Sequence, residues 1–146
     1  MSTLVRSITI NRPIEDVFAV ATDVTKTGRW FPAQVEEYWK TPPPHGVGSI
    51  RHATATVMGR RSENDATVTE FDPPNRGVLV GEQSGITFVA TIECSAEDAG
   101  TLLTATFDFT ASGAMRLLVG PFLNWYGNMW DTGLANLKRM MESGEL

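Results

Sequence analysis

Few side chains in this sequence are suited to chemistry, and their scarcity narrows the options. His45 and His52 are the only histidines and Cys94 the only thiol. No Cys/His pair among them has zinc-ligand spacing, so no metal is expected. A nucleophilic triad needs a Ser or Cys beside a His, and the nucleophile-elbow pattern is absent from the sequence. Gly46-Val47-Gly48 follows a Pro-rich loop rather than a strand. It is therefore neither a phosphate loop nor a dinucleotide fingerprint, and no cofactor is expected. Three titratable residues stand out. His52 shares a strand-like run with Ile50, Thr54 and Thr56, and points either inward or to solvent. Inward, its imidazole would orient a ligand hydroxyl or carbonyl, or act as a general base. Glu70 alternates with Val68 and Ala66, and facing inward its carboxylate would need Arg51 or Arg76 as a partner. Asp131, beside Trp130, reads as a solvated helix residue.

The elements that must position these residues follow from periodicity. Residues 4–10 are β-rich, and Asn11-Arg12-Pro13 closes the run. A helix follows, with Asn11 or Arg12 near its cap and Pro13 at its first position; Glu15 and Asp16 suit the positive end of its dipole. Ile14, Val17, Phe18 and Ala21 form its apolar stripe. Residues 23–31 read as a second, shorter helix, stopped by Pro32. From there the period changes, and strands are expected over 34–40, 48–58, 62–71, 77–82, 86–95 and 101–111. The spacers are short and turn-rich (Gly59-Arg60-Arg61, Asp72-Pro73-Pro74-Asn75 and Gln83-Ser84-Gly85 among them), which favours antiparallel hairpins. Pro42-Pro43-Pro44 reads as a stiff loop.

Alternation in the last two strands sorts the sheet's faces. Ile86, Phe88, Ala90 and Ile92, then Leu103, Ala105, Phe107 and Phe109, make one face apolar. The opposite face is largely Thr and acid, the pattern of a half-buried antiparallel sheet. Residues 115–143 read as a long helix with the stripe Leu118, Phe122, Tyr126, Met129, Trp130, Gly133, Leu137 and Met140. Gly120-Pro121 predicts a kink or a delayed start. Trp125 falls off that stripe, toward an exposed entrance or a homodimer contact. The order is strand, two helices, six strands, long helix: an α+β layer architecture, read as one domain over residues 1–146.

Length and charge agree with that reading. A chain of 146 residues has room for a real core, and a formal charge of −5 repels phosphate backbones and anionic membranes. No nucleic-acid partner and no stable membrane insertion are expected. A single cysteine and an N-terminus without a charged-then-apolar leader pattern predict a soluble, cytoplasmic protein.

Read together, the local motifs resemble a known superfamily. They are Ile10-Asn11-Arg12-Pro13-Ile14-Glu15-Asp16-Val17-Phe18 with Asp23, Arg29-Trp30-Phe31-Pro32, Gly46-Val47-Gly48, Val68-Thr69-Glu70-Phe71-Asp72-Pro73-Pro74, and Leu134-Ala135-Asn136-Leu137-Lys138. In order and spacing they resemble the START-like (SRPBCC) superfamily, with its birch-pollen-allergen fold and its polyketide cyclase/dehydrase and lipid-transport proteins. The resemblance runs from Val5 to Met141. It implies a helix-grip fold, in which a curved seven-stranded antiparallel sheet wraps around the long C-terminal helix. It further implies a cavity between them for a hydrophobic or amphipathic small molecule.

On that basis the expected ligand-binding residues are Trp30, Phe31, His52, Glu70, Phe88, Phe107, Phe122, Tyr126, Met129 and Trp130. Each aromatic has an equally ordinary reading as close-packed core. Three functions follow from the resemblance. The first is binding of a lipid- or polyketide-like molecule. The second is a cyclase/dehydrase-type enzyme using a pocket acid or base. The third is a partner-binding module of the chaperone-ATPase-activator kind, which would need a filled interior and an exposed apolar patch.

Overall fold

The computed structural model of the chain describes residues 2–33, 35–83 and 85–146. Its elements are β1 (Ser2–Ile10), α1 (Ile14–Ala21), α2 (Thr27–Trp30), β2 (Glu36–Trp39), β3 (Ile50–Val57), β4 (Arg60–Asp72), β5 (Arg76–Gln83), β6 (Ile86–Glu97) and β7 (Gly100–Ala111). A 3-10 turn over Gly113–Leu117 then leads into α3 (Val119–Ser143). The strands form one antiparallel seven-stranded sheet in the order β1-β7-β6-β5-β4-β3-β2. Each hairpin sets a strand beside its predecessor, and β1 closes against β7. The two short helices and α3 accompany a single sheet, so the architecture is the helix-grip α+β fold.

Several boundaries differ from the periodicity reading, each for a local reason. Pro13, with ψ 149°, is the cap of α1 rather than its first helical residue. Asn11 and Arg12 are instead tied to the far end of the chain. The Asn11 amide donates to Glu142 Oε2 (2.8 Å) and the Arg12 guanidinium to the Glu142 carbonyl (2.6 Å). The second helix is one turn long rather than nine residues. Asp23 Oδ1 accepts from the Thr25 amide (3.0 Å) and hydroxyl (2.6 Å), a local turn that competes with helix there. The β3–β4 hairpin turns tightly at Met58 and Gly59, both with positive φ (50° and 84°), so Arg60 and Arg61 already belong to β4. Expected strand residue Gln34 and turn residue Ser84 lie outside the described residues. The long helix begins at Val119, which puts Pro121 in its first turn. Amides there have no intrahelical acceptor, so the missing N–H costs nothing.

The core occupies the concave side of the sheet. Inward residues of β7 (Leu103, Ala105, Phe107, Phe109) meet Trp130, Leu134, Leu137, Met140 and Met141 of α3, with Ile10, Val17 and Phe18 closing one end. Ile10, Val17, Leu103 and Leu137 are fully excluded from solvent. Gly133 is where Trp30 and Phe31 lie on α3; a Cβ there would stand 3.0 Å from Phe31 Cδ1. Lys138 and Arg29 tie the helix end down, donating to the carbonyls of Thr9 and Glu145. Among the described residues, no helix is long and apolar enough to cross a membrane.

Candidate functional site

Away from that packed end, the sheet and α3 diverge. Between them lies a partly open cavity of about 810 Å³, within the ~300–1,000 Å³ typical of small-molecule sites. One wall is aromatic. Trp30 and Phe31 from α2 and its C-cap meet Trp130 at ring distances of 5.6 and 5.1 Å, and Phe107 meets Trp130 at 4.8 Å. Toward the start of α3, Phe122 stacks on Tyr126 at 5.4 Å and takes the edge of Phe109 at 5.3 Å. Burial pushes the Tyr126 phenol above its ordinary pKa, so it is neutral at physiological pH. Trp125, expected to be exposed, is half-buried and lines the cavity beside Phe122.

The opposite wall is built from small and polar residues of β2–β5. Inward positions of β3 are Arg51, Ala53, Ala55 and Val57. On β5, Gly81 faces Phe88 of β6, and a Cβ at Gly81 would stand 2.6 Å from the Phe88 ring. The glycine lets that ring lie flat over the strand. A polar stripe crosses this wall. Arg51 Nη1 lies 3.5 Å from Glu37 Oε2 on β2, Arg51 Nη2 donates to Asn64 Oδ1 on β4 (2.5 Å), and Asn64 Nδ2 donates to Gln83 Oε1 on β5 (3.0 Å). The register explains the reach: Ala53 pairs with both Glu37 and Asn64, which makes each a diagonal neighbour of Arg51 on the same face. The Arg51 and Glu37 side chains are only 11% and 9% exposed, and Arg51 Nε is buried without a hydrogen-bond partner. Burial raises the Glu37 pKa; the Arg51 guanidinium and the Thr27 hydroxyl oppose that rise without cancelling it.

Of the residues nominated from sequence, Trp30, Phe31, Phe88, Phe107, Phe122, Tyr126 and Trp130 line the cavity, and Glu70 touches its rim. His52 and Met129 do not line it. His52 is on the outer face, its Nδ1 2.7 Å from Asp65 Oδ1 and its ring 5.0 Å from Tyr38. Strand parity decides this, because Ala53, Ala55 and Val57 take the inner face and leave His52 with Thr54 and Thr56 outside. Met129 is half-buried and packs beside the core instead. Glu70 is not an inward carboxylate. A bulge between Val68 and Glu70 shifts the alternation, so Phe71 turns in to meet Phe18 at 5.8 Å. Glu70 is exposed and accepts from Arg76 Nε at 2.7 Å, one of the two partners offered for it. Asp131 pairs with Arg6 at 2.8 Å on the surface.

The buried pair Arg51–Glu37 is what the sequence reading missed. The signal was present: Ala53, Ala55 and Val57 are more apolar than His52, Thr54 and Thr56, and they carry Arg51 inward with them. Among the described residues no cluster of His, Cys, Asp and Glu is arranged to hold a metal ion.

A curved antiparallel sheet packed on a long C-terminal helix defines the helix-grip class of folds, and the comparisons narrow it. Residues 1–142 match the family described as polyketide cyclase / dehydrase and lipid transport, and the chain belongs to that family. No curated protein sequence matches it. Among solved structures it is similar to TTHA0849 from Thermus thermophilus, at 17% identity and TM-score 0.80, covering 99% of this chain and 100% of that one. DR_A0006 from Deinococcus radiodurans is 15% identical with TM-score 0.70, and each chain is 99% covered. Ara h 8.0201 is 14% identical with TM-score 0.67, covering 93% of this chain and 97% of that one. At these identities the likeness is one of fold.

Proposed function

We propose that this protein binds a hydrophobic or amphipathic small molecule, lipid- or polyketide-like, inside the cavity between its sheet and α3. The observation that carries this reading is the cavity itself: about 810 Å³ walled by aromatic rings on one side and small residues on the other. Burying ligand hydrocarbon against those rings yields about 25 cal/mol per Å². Eight of the ten nominated contacts keep their place in the proposal: Trp30, Phe31, Phe88, Phe107, Phe122, Tyr126 and Trp130 as walls, and Glu70 as a rim residue. His52 and Met129 are dropped from it.

The test is a titration with N-phenyl-1-naphthylamine, a neutral dye that fluoresces in apolar surroundings. Saturable binding at one dye per chain is expected, and it should be abolished by Ala90→Phe, which places a ring in the cavity. A fluorescence gain that Ala90→Phe leaves unchanged would place the dye elsewhere and overturn the reading.

One observation favours a second, catalytic reading. Glu37 is a buried carboxylate with a raised pKa beside a guanidinium, the type of group that moves a proton in a water-poor site. Turnover of a poly-ketone chain that Glu37→Gln abolishes, with binding retained, would establish it; retention of turnover would end it.

A further inference from the structure

The polar stripe is under-satisfied in a way that specifies a ligand. A guanidinium presents a planar fork of N–H donors and no acceptor. In Arg51 one Nη meets Asn64 closely, the other faces Glu37 only at 3.5 Å, and Nε has no partner. Nε is sealed from the cavity as well as from solvent, so the donors left for an acceptor brought by a guest are the N–H groups of the two Nη nitrogens. The charge around it sets the acceptor's type. Arg51 is the only Lys or Arg among the described residues lining the cavity, whereas Glu15, Asp23, Glu37 and Glu70 all contribute to its walls or rim. The positive charge is answered locally by Glu37, so a second carboxylate there would face the first. A neutral oxygen meets no such repulsion.

We propose that Arg51, held by Glu37 and Asn64, is a head-group anchor that makes the cavity selective for neutral amphiphiles carrying a carbonyl oxygen beside an apolar ring body. The proposal rests on the cavity-binding reading above and adds the group that orients the guest. The aromatic wall takes the ring body, and the β2–β5 wall takes the oxygen. Glu37 acts here as a positioning residue. It holds the guanidinium in place and cancels its charge, so a carboxylate gains little.

Three probes of matched shape test this by competition with the dye: 2-ethylnaphthalene, 2-acetylnaphthalene and 2-naphthoate. On the native protein the ketone should bind about tenfold tighter than the hydrocarbon, the ratio expected of one hydrogen bond to a charged group. The naphthoate should bind more weakly than the ketone. Glu37→Gln removes the competing carboxylate, and naphthoate affinity should then rise about tenfold, a change that no merely structural role predicts. Glu37→Gln/Arg51→Met deletes both charges together, so neither is left uncompensated, and the ketone's advantage should disappear. Equal affinity for ketone and hydrocarbon would overturn the anchor while leaving cavity binding intact. Naphthoate binding tightest to the native protein would overturn the neutral preference. Failure of all three to displace a dye that Ala90→Phe excludes would overturn the anchor alone, whereas a dye signal unchanged by Ala90→Phe would defeat the cavity reading and the anchor together.

Discussion

The two ends of the concave face are made from the same strands and helix, yet one is solid and the other hollow. At the solid end, Leu103 and Leu137 come from opposite layers, meet Ile10 and Val17, and exclude solvent completely. At the hollow end, α3 presents large rings (Phe122, Trp125, Tyr126) and the cavity's other lining includes the small side chains of Ala53, Ala55 and Ala90. A curved sheet cannot follow a straight helix, so volume on the diverging side must come from side chains. Small residues there leave the space unfilled, and packing within protein interiors is dense enough that such a void is not closed by relaxation. The difference teaches that close packing and open space are separated along α3: its C-terminal half stabilises the fold, and its N-terminal half walls the cavity.

That separation can be broken most forcefully at the solid end. Leu137→Ala should cost about 2–5 kcal/mol, read from urea unfolding, because a buried leucine is lost and the cavity left behind cannot collapse. A loss below about 1 kcal/mol would mean that this end is not close-packed. At the hollow end Ala90→Leu should behave in the opposite way. Its added carbons enter existing space, so stability should change by under about 1.5 kcal/mol, while N-phenyl-1-naphthylamine affinity should fall severalfold.

Cys94 sharpens the comparison through pH. It belongs to the core cluster, and burial pushes its thiol from 9.0 up to about 11. The folded state holds this proton more tightly than the unfolded state does. Above pH 9 the unfolded chain therefore ionises first, and stability should decline until about pH 11, where the folded thiol also ionises. Cys94→Ala should remove that part of the slope in pH-dependent melting. The smallest effect is expected on the outer face. His52→Ala should change stability by at most about 1 kcal/mol and leave dye affinity unaltered, because the pair with Asp65 is a surface interaction. A marked fall in affinity would return His52 to the cavity.

Much of this protein was legible before folding was considered. Alternation placed Phe107 and Phe109 on the inner face, and the helical stripe placed Phe122, Tyr126 and Trp130 opposite them. What failed was parity where the pattern is weak. In β3 the contrast is faint: Ala53, Ala55 and Val57 beside Arg51 are only somewhat more apolar than Thr54 and Thr56 beside His52, so the local signal for an inward Arg51 is easily passed over. In β4 a single bulge between Val68 and Glu70 exchanged the faces and carried Glu70 out. Trp125, judged by its distance from the stripe, is half-buried beside Phe122 and lines the cavity.

Order of elements, turn positions and the apolar face of the sheet are consequences of local chemistry: side-chain periodicity, proline's fixed φ, glycine's freedom. They need no knowledge of distant residues, and the sequence alone determined them. The cavity and the Arg51–Glu37 pair depend instead on register and on how far a bent sheet stands from a straight helix. Those distances arise only when strands remote in sequence pair, so the tertiary structure alone decided them.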